Sequence, residues 1–490
     1  MIFGFLGVQR MAAGSRVSTD FIPYCVGAVC VAGIVFAASL FGILTRPDGM
    51  LAVLWPANAL LTAAFVRGRA MNTPLGWGAA FVGYMAADLM TGNDIYTATW
   101  LTGANLAGVA VGVILLRRLS VQDRNLRRPQ SVQYLCLIGA GAALAAAVAG
   151  VFIAVVVFNQ NPVTAFLFWF STEFANYVVI LPFALTVARW SDFSAMVTGF
   201  SRHVVMNVET LKTCAPAISV LVSLVLVKVI GGPGSIVFPV PALLWCALVY
   251  RLQITTLFIL LVSHWLMVVL ELDFLSNLPT DSDPYYAVMS IRLGIALLSL
   301  GPLTVASIDT ARSALVDRLD HAANHDFLTG LLSRGAFMKC GGELISRLSE
   351  EKARLTIMGL DVDHFKQIND THGHAAGDRV LVEVAKIIRG NLRGNDLIAR
   401  LGGEEFGLIL PGVAPADALG LAQRIRIAIE QTAVGESETG SIYTTISIGL
   451  VHHTLEEPVT LDRLLRDADK AMYAAKAAGR NRVVVHQSRS

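Results

Sequence analysis

Two clusters of carboxylates in the last third of this 490-residue chain are spaced to hold a hard metal ion. In Arg400-Leu401-Gly402-Gly403-Glu404-Glu405-Phe406, adjacent acids follow two glycines that permit a tight hairpin turn between apolar strands. Alone, such a turn is commonly just a solvated loop. Upstream, however, Leu355-Thr-Ile-Met-Gly-Leu-Asp361-Val-Asp363 reads as a buried strand ending in two acids one residue apart. Carboxylates on neighbouring strand ends suit one or two magnesium ions, with manganese as the alternative, that also hold substrate phosphates. No GxxxxGK[ST] occurs, so phosphates need a different cradle.

These clusters sit within a longer series: His325-Asp326-Phe327-Leu328-Thr329-Gly330-Leu331, then Asp361 to Lys366, Asn369 to Asp378, and Lys476 to Arg482. In residues, order and spacing this region resembles the GGDEF family of diguanylate cyclases, with glutamate in the variable third position. The resemblance implies that Asp361, the carbonyl of Val362 and Glu404 hold the metal, and that Glu404 or Glu405 draws the proton from a ribose hydroxyl. It assigns Lys366, Lys476 and Arg480 to the phosphates, and Phe365, Asn369, His374 and Asp378 to the substrate. For Asn369 and Asp378 the physical logic is specific, since a carboxylate accepts from the N1 and exocyclic amine donors that guanine presents and adenine lacks. GTP is therefore expected over ATP. His374 reads equally as a loop residue bonded to backbone, and Asp363 as a supporting residue. Ser333 departs from the asparagine common before Arg334, and tuning rather than loss of activity is expected from it.

Upstream of the acidic hairpin lies Arg393-Gly394-Asn395-Asp396, with Arg424 on the next predicted helix. Arginine stacks on guanines while aspartate accepts their donors. By resemblance these three residues form a product site, at which cyclic di-GMP exerts feedback inhibition.

Positioning these groups requires a module of helices and strands. The periodicity predicts a helix over 334–349, strand 355–361, helix 376–390, strands 396–401 and 405–410, helix 415–431, strand 443–450, helix 460–478 and strand 482–486. This order predicts an antiparallel sheet backed by helices, an α/β (α+β) domain like the palm of nucleotidyl cyclases.

The front of the chain is a different material. Hydrophobic residues make up 54% of the whole and charged residues 15%, with a mean hydropathy of +0.60. Apolar runs near 22–44, 51–66, 75–90, 98–116, 133–158, 164–188, 214–230, 236–250, 254–271 and 287–308 predict about ten helices. Most are long enough for a bilayer core of about 30 Å, with 75–90 and 236–250 the short ones. If Arg10 and Arg16 are cytoplasmic, alternation places Arg67, Arg69, Arg117, Arg118, Arg124, Arg127, Arg128, Arg189, Arg202, Lys212, Arg251 and Arg312 on the same side. Arg46, Lys228 and Arg292 break the pattern. The first apolar segment is too long for a cleavable signal and reads as a retained anchor. The six cysteines form no CxxC pair, so neither disulfides nor zinc are expected, and a net charge of +2 gives no reason to invoke nucleic acid.

Trp55-Pro56-Ala57-Asn58, Phe81-Val82-Gly83 and Phe238 to Leu248 resemble the first class of bacterial membrane-associated sensor domains. That likeness implies an input module with an unassigned ligand. Ionisable groups at membrane depth are costly and often functional. Glu173, flanked by Trp169, Asn176 and Tyr177, is the candidate sensor residue, with a structural bond between helices as the other reading; Asp88 comes second.

Ala311, Leu315, Leu319 and Ala322 make an apolar stripe that suits a short two-stranded coiled coil. Each catalytic module should bind one GTP, so making a cyclic dinucleotide requires two modules face to face, a homodimer. The expected chain is multi-domain: cytoplasmic segment 1–20, polytopic α-helical membrane sensor 21–309, helical signalling linker 310–325 and GGDEF domain 326–490. Its expected place is the bacterial inner membrane, catalytic domain inside. The expected partners are GTP, cyclic di-GMP, lipid, a second copy and an unknown sensor ligand. Two alternatives stand: a non-catalytic receptor for GTP or cyclic di-GMP, against which the intact acids argue, and a nucleotide-gated transporter, disfavoured without an internal repeat.

Overall fold

A computed structural model describes residues 16–46, 52–157, 159–187, 208–276, 284–437, 440–455 and 459–486. The chain divides into two units, Met1–Ala314 and Leu315–Ser490. Arg10, Arg189 and Arg202 lie outside the described residues.

The first unit is helical: α1 (Arg16–Leu44), α2 (Pro56–Arg67), α3 (Pro74–Met90), α4 (Ile95–Arg118), α5 (Ser131–Val156), α6 (Pro162–Thr186), α7 (Val208–Ile230), α8 (Pro239–Val249), α9 (Leu252–Ser276) and α10 (Pro284–Asn324), with a single turn at Val121–Arg124. Each predicted apolar run falls on one of the ten. Seven of them are long and apolar enough to cross a membrane; α2, α3 and α8, with 12, 17 and 11 residues, are shorter. The run expected from residue 51 becomes helical only at Pro56, whose fixed φ suits a first helical turn. Helix starts are set by side chains: Asp94 accepts from the amides of Tyr96 and Thr97, and Asn161 from those of Val163 and Thr164.

Small residues let these helices approach closely. Ala142, Ala143, Ala146 and Ala147 of α5 are fully buried, and a Cβ at Gly150 would lie 2.7 Å from the Trp169 ring of α6. Of the three residues that break the arginine pattern, two pair with an acid and the third lies near one. Arg292 forms a bidentate pair with Glu271, Nε to Oε1 at 2.8 Å and Nη2 to Oε2 at 2.9 Å; Lys228 pairs with Asp273 at 2.7 Å; Arg46 acts on the charge of Asp88.

In the second unit, α11 (Arg334–Glu350) leads into β1 (Arg354–Val362), α12 (Phe365–His372), α13 (His374–Gly390), β2 (Leu397–Gly402), β3 (Glu405–Pro411), α14 (Pro415–Gln431), β4 (Gly435–Ser437), β5 (Gly440–Ile442), β6 (Ile446–Thr454), α15 (Leu461–Ala477) and β7 (Val483–Val485). The main sheet has the order β2-β3-β1-β6-β7. It is mixed, not wholly antiparallel as expected: α15 carries the chain across the sheet, so β7 pairs parallel to β6. Helix α12 and the β4–β5 hairpin are too short to leave a periodic signal, and the strand expected over 443–450 runs over Ile446–Thr454 instead.

Alternation along β1 splits the core. Leu355 and Ile357 face the cluster containing α11 and α15, while Met358, Leu360 and Val362 face the one containing α13 and α14. Gly359 pairs with Gly407 on one side and Gly449 on the other, a glycine row across three central strands. A Cβ at Gly449 would come within 2.1 Å of the Ala468 carbonyl oxygen, so Gly449 permits α15 to settle against the sheet, whereas a Cβ at Gly407 would meet Leu401 and Phe337.

Candidate active site

Two residues beyond Gly359, on the same face of β1, comes Asp361, only 4% exposed. In the ladder it stands opposite Glu405 on β3 and Ser447 on β6. Because α15 rests against Gly449, its last turn delivers Lys476 to the strand end, with Nζ 2.7 Å from Asp361 Oδ2. Burial pushes the Asp361 carboxyl above its ordinary range; Lys476 opposes this, and the charges of Glu404 and Glu405 add to it.

The acidic hairpin turns on Gly403 and Glu404, one residue later than a Gly-Gly turn, with a register shift between Arg400 and Gly402. Gly403 has φ +32°, and the Glu404 carbonyl accepts from the Val362 amide at 3.3 Å. Arg400, which the sequence reading left without a role, ties the tip down. Its Nε and Nη2 donate to the Gly403 carbonyl at 2.9 and 2.7 Å, and its Nη1 reaches Asp326 at 3.2 and 3.3 Å. Asp326 also accepts from the Thr329 amide and hydroxyl at 2.9 and 2.7 Å. Burial opposes ionisation of Asp326, yet the bonds from Thr329 and Arg400 outweigh it and hold the carboxyl below the usual aspartate range.

Asp363 is fully engaged in structure, accepting from the hydroxyls of Thr445 and Ser447 at 2.7 Å each and from the Asn481 amide at 3.1 Å. Phe365 is buried, and Asn369 Oδ1 lies over Gly377, 1.9 Å from where a Cβ would stand, so α12 and α13 cross at a glycine. Lys366, His374 and Asp378 are exposed, as is Arg480 in the turn after α15. Asp378 shares a surface groove with Leu328, a second residue to which the sequence reading gave no role.

Asp361, Glu404 and the Val362 carbonyl supply hard oxygens at adjoining strand ends, a donor set that fits a divalent ion such as magnesium. The Asp361 carboxyl is raised chiefly by burial and further by the charges of Glu404 and Glu405, and a cation bound there would offset both. Among the described residues no three His, Cys, Asp or Glu side chains are already gathered within metal-holding distance.

The Arg393–Asp396 segment folds on itself, with Asp396 Oδ2 accepting from the Arg393 amide at 2.8 Å. Both residues line a groove that also includes Arg347 of α11. Arg424 is exposed on α14 and is not among that groove's lining residues.

Glu173 is 3% exposed and lies in a polar network inside the helical unit. Asn58 donates to both of its oxygens at 2.9 Å and to Asn105 at 3.0 Å, and Tyr84 donates to Asn58 at 2.6 Å. The Trp55-Pro-Ala-Asn58 segment thus joins α2 to α3, α4 and α6.

Carboxylates on adjacent ends of a mixed sheet, a lysine at their flank and a helix pair beside them define a nucleotidyl-transfer domain preceded by a helical unit. Residues 323–482 match the family model "Diguanylate cyclase, GGDEF domain". "Probable diguanylate cyclase DgcF" of Escherichia coli O157:H7 is 31% identical over 442 residues, covering 88% of this chain and 89% of the relative. Its namesake from strain K12 is 35% identical over 321 residues, covering 64% of this chain and 95% of its own. The GGDEF domain of DgcB from Caulobacter crescentus, solved in complex with c-di-GMP, is similar at 32% identity and a TM-score of 0.32, over 34% of this chain and 97% of that one. The chain belongs to the GGDEF family of diguanylate cyclases.

Proposed function

We propose that the chain is a diguanylate cyclase of the bacterial inner membrane that acts as a homodimer, joining two GTP into cyclic di-GMP with release of two pyrophosphates. The observation that carries this reading is the juxtaposition of Asp361, Glu404 and Glu405 beside Lys476. Asp361, Glu404 and the Val362 carbonyl hold magnesium, which when bound offsets phosphate charge and acidifies the attacking hydroxyl. Glu404 or Glu405 accepts the proton of the 3′ hydroxyl. Lys366, Lys476 and Arg480 bind the triphosphate, and Phe365, Asn369, His374 and Asp378 hold guanine and ribose. Each 3′ hydroxyl attacks the α-phosphate held by the other protomer, so two modules must face each other. The exposed Leu315 and Leu319 of α10, 56% and 61% accessible, suit pairing with a second copy.

The segments act as N-terminal segment 1–20, membrane sensor 21–309, linker 310–325 and cyclase 326–490, with the basic side inward and the cyclase in the cytoplasm. Glu173 serves the sensor. Product bound at Arg393 and Asp396, with Arg424 completing the site, inhibits the enzyme.

The test is cyclic di-GMP formation from GTP and magnesium by the purified full-length protein. Native protein is expected to make product, and Glu404→Gln about 10²-fold less or none. A folded, GTP-binding dimer that makes none would support a receptor instead. Arg393→Ala is expected to weaken product inhibition about tenfold; unchanged inhibition would remove the feedback site.

A further inference from the structure

The helical unit contains a cavity of roughly 70 Å3 whose walls include Trp55, Trp169, Asp88, Glu173, Thr172 and Arg46. Its polar groups are unevenly satisfied. Asp88 accepts from the Asn93 amide at 2.9 Å and has Arg46 nearby. Glu173 has only the Asn58 amide, shared between its two oxygens, and among the described residues no lysine or arginine pairs with it. A buried carboxylate with one shared donor calls for another, best a cationic one. Trp55 is one of the cavity's lining residues, and among the described residues its buried N–H finds no acceptor. Two indoles among the lining residues also favour an organic cation over a metal ion, which would ask for more oxygens. The required ligand is therefore small, carries a protonated amine for Glu173 and offers an oxygen acceptor to Trp55.

Building on the reading of this unit as a regulator, we propose that the cavity binds an ethanolammonium group, from free 2-aminoethanol or from a lipid headgroup, and that Thr172 passes its occupancy to α10. Thr172, next to Glu173 on α6, accepts a hydrogen bond from Arg292 Nη1. Arg292 is fully buried on α10, bound on its other edge to Glu271 and stacked 5.0 Å from the Phe168 ring centre. Helix α10 continues without a break to Asn324. An occupant that shifts the Thr172–Glu173 turn thus acts on a residue of the helix that leads into the cyclase.

All seven tryptophans precede residue 266, so their fluorescence reports on the helical unit alone. Full-length protein in nanodiscs of phosphatidylcholine and phosphatidylglycerol is titrated with 2-aminoethanol, with n-propylamine, which lacks the acceptor, and with 1,2-ethanediol, which lacks the amine. Saturable change is expected with 2-aminoethanol and about tenfold weaker binding of the other two. Glu173→Gln is expected to abolish it, and so is Ala52→Leu, which fills the cavity from an apolar wall and leaves the polar network intact. Phosphatidylethanolamine nanodiscs that already show the change, and suppress the titration, assign the site to the headgroup; saturation only by free solute assigns it to the solute. No saturable change in either lipid, equal response to ethanediol, or undiminished binding by Ala52→Leu overturns the site. In the same samples, ligand is expected to change the rate of cyclic di-GMP formation about twofold or more, and Thr172→Val to retain binding but lose that response. Binding with no change in rate would overturn the transmission and the regulatory reading while the site stands.

Discussion

The two units treat charge in opposite ways. In the cyclase, like charges are brought together: Asp361 faces Glu405 in the ladder, Glu404 sits at the adjoining turn, and Lys476 offers one cation to the group. In the helical unit, opposite charges are closed into pairs, the clearest being Arg292 and Glu271, 0% and 1% accessible. Acids drawn to neighbouring strand ends favour a further cation, and so they mark a candidate site. A closed buried pair is complete already, and its removal exposes structure rather than chemistry. Glu173, a buried acid without a cationic partner among the described residues, resembles the first kind although it lies in the helical unit.

The sharpest way to break this contrast is a matched pair of substitutions. Asp361→Asn is expected to lower cyclic di-GMP formation by at least about 10²-fold while leaving thermal stability unchanged or slightly higher. The sign follows from the raised carboxyl: above its ordinary pKa the folded state holds a charge that burial disfavours, so at neutral pH the neutral amide removes an unfavourable term. Glu271→Gln leaves Arg292 buried without its partner and is expected to destabilise the helical unit by about 3–5 kcal/mol, read from tryptophan fluorescence during unfolding in detergent. Equal stability losses in the two variants would erase the distinction.

A smaller effect is expected where the cyclase is positioned rather than charged. Gly449→Ala drives a methyl into the backbone of α15 and is expected to lower stability by about 1–3 kcal/mol. Because that helix delivers Lys476, the apparent KM for GTP should rise with the loss. A variant as stable as the native protein, with an unaltered KM, would show that α15 is seated by something other than Gly449.

Such dependence explains what was legible in the sequence. Asp361, Glu404 and Glu405 announce themselves because a strand end and a turn are local events, and α14 begins at Pro415 where proline favours a first helical turn. The ten apolar runs were equally legible, since hydrophobic length is a property of single segments. Partnerships were not. Arg400 reaches Asp326 across 74 positions and Asn58 reaches Glu173 across 115, and neither spacing carries a signal. Arg292 and Lys228 could be recognised as partners of acids only when helices from separate segments were side by side. Gly359, Gly407 and Gly449 read as ordinary strand residues until the register placed them in one row.

The gentlest test falls on the tie between Asp326 and Arg400, a pair in the cyclase that is closed like those of the helical unit but lies near the surface, 17% and 14% accessible. Its folded-state carboxyl lies below the ordinary aspartate value of 3.8. A depressed carboxyl stabilises the fold in full above its unfolded-state pKa and loses that contribution as pH falls through the folded-state value. Partial exposure limits the amount to about 1 kcal/mol. Asp326→Asn should therefore speed hydrogen exchange in the hairpin 397–411 by about fivefold at neutral pH. That gap from the native protein should persist down to the ordinary aspartate value and close below it, as native Asp326 takes up its proton. A gap that stayed constant through the acid range would mean that the bonds from Thr329 and Arg400 do not depend on the charge of Asp326, and that surface pairs in this unit behave as neutral hydrogen bonds.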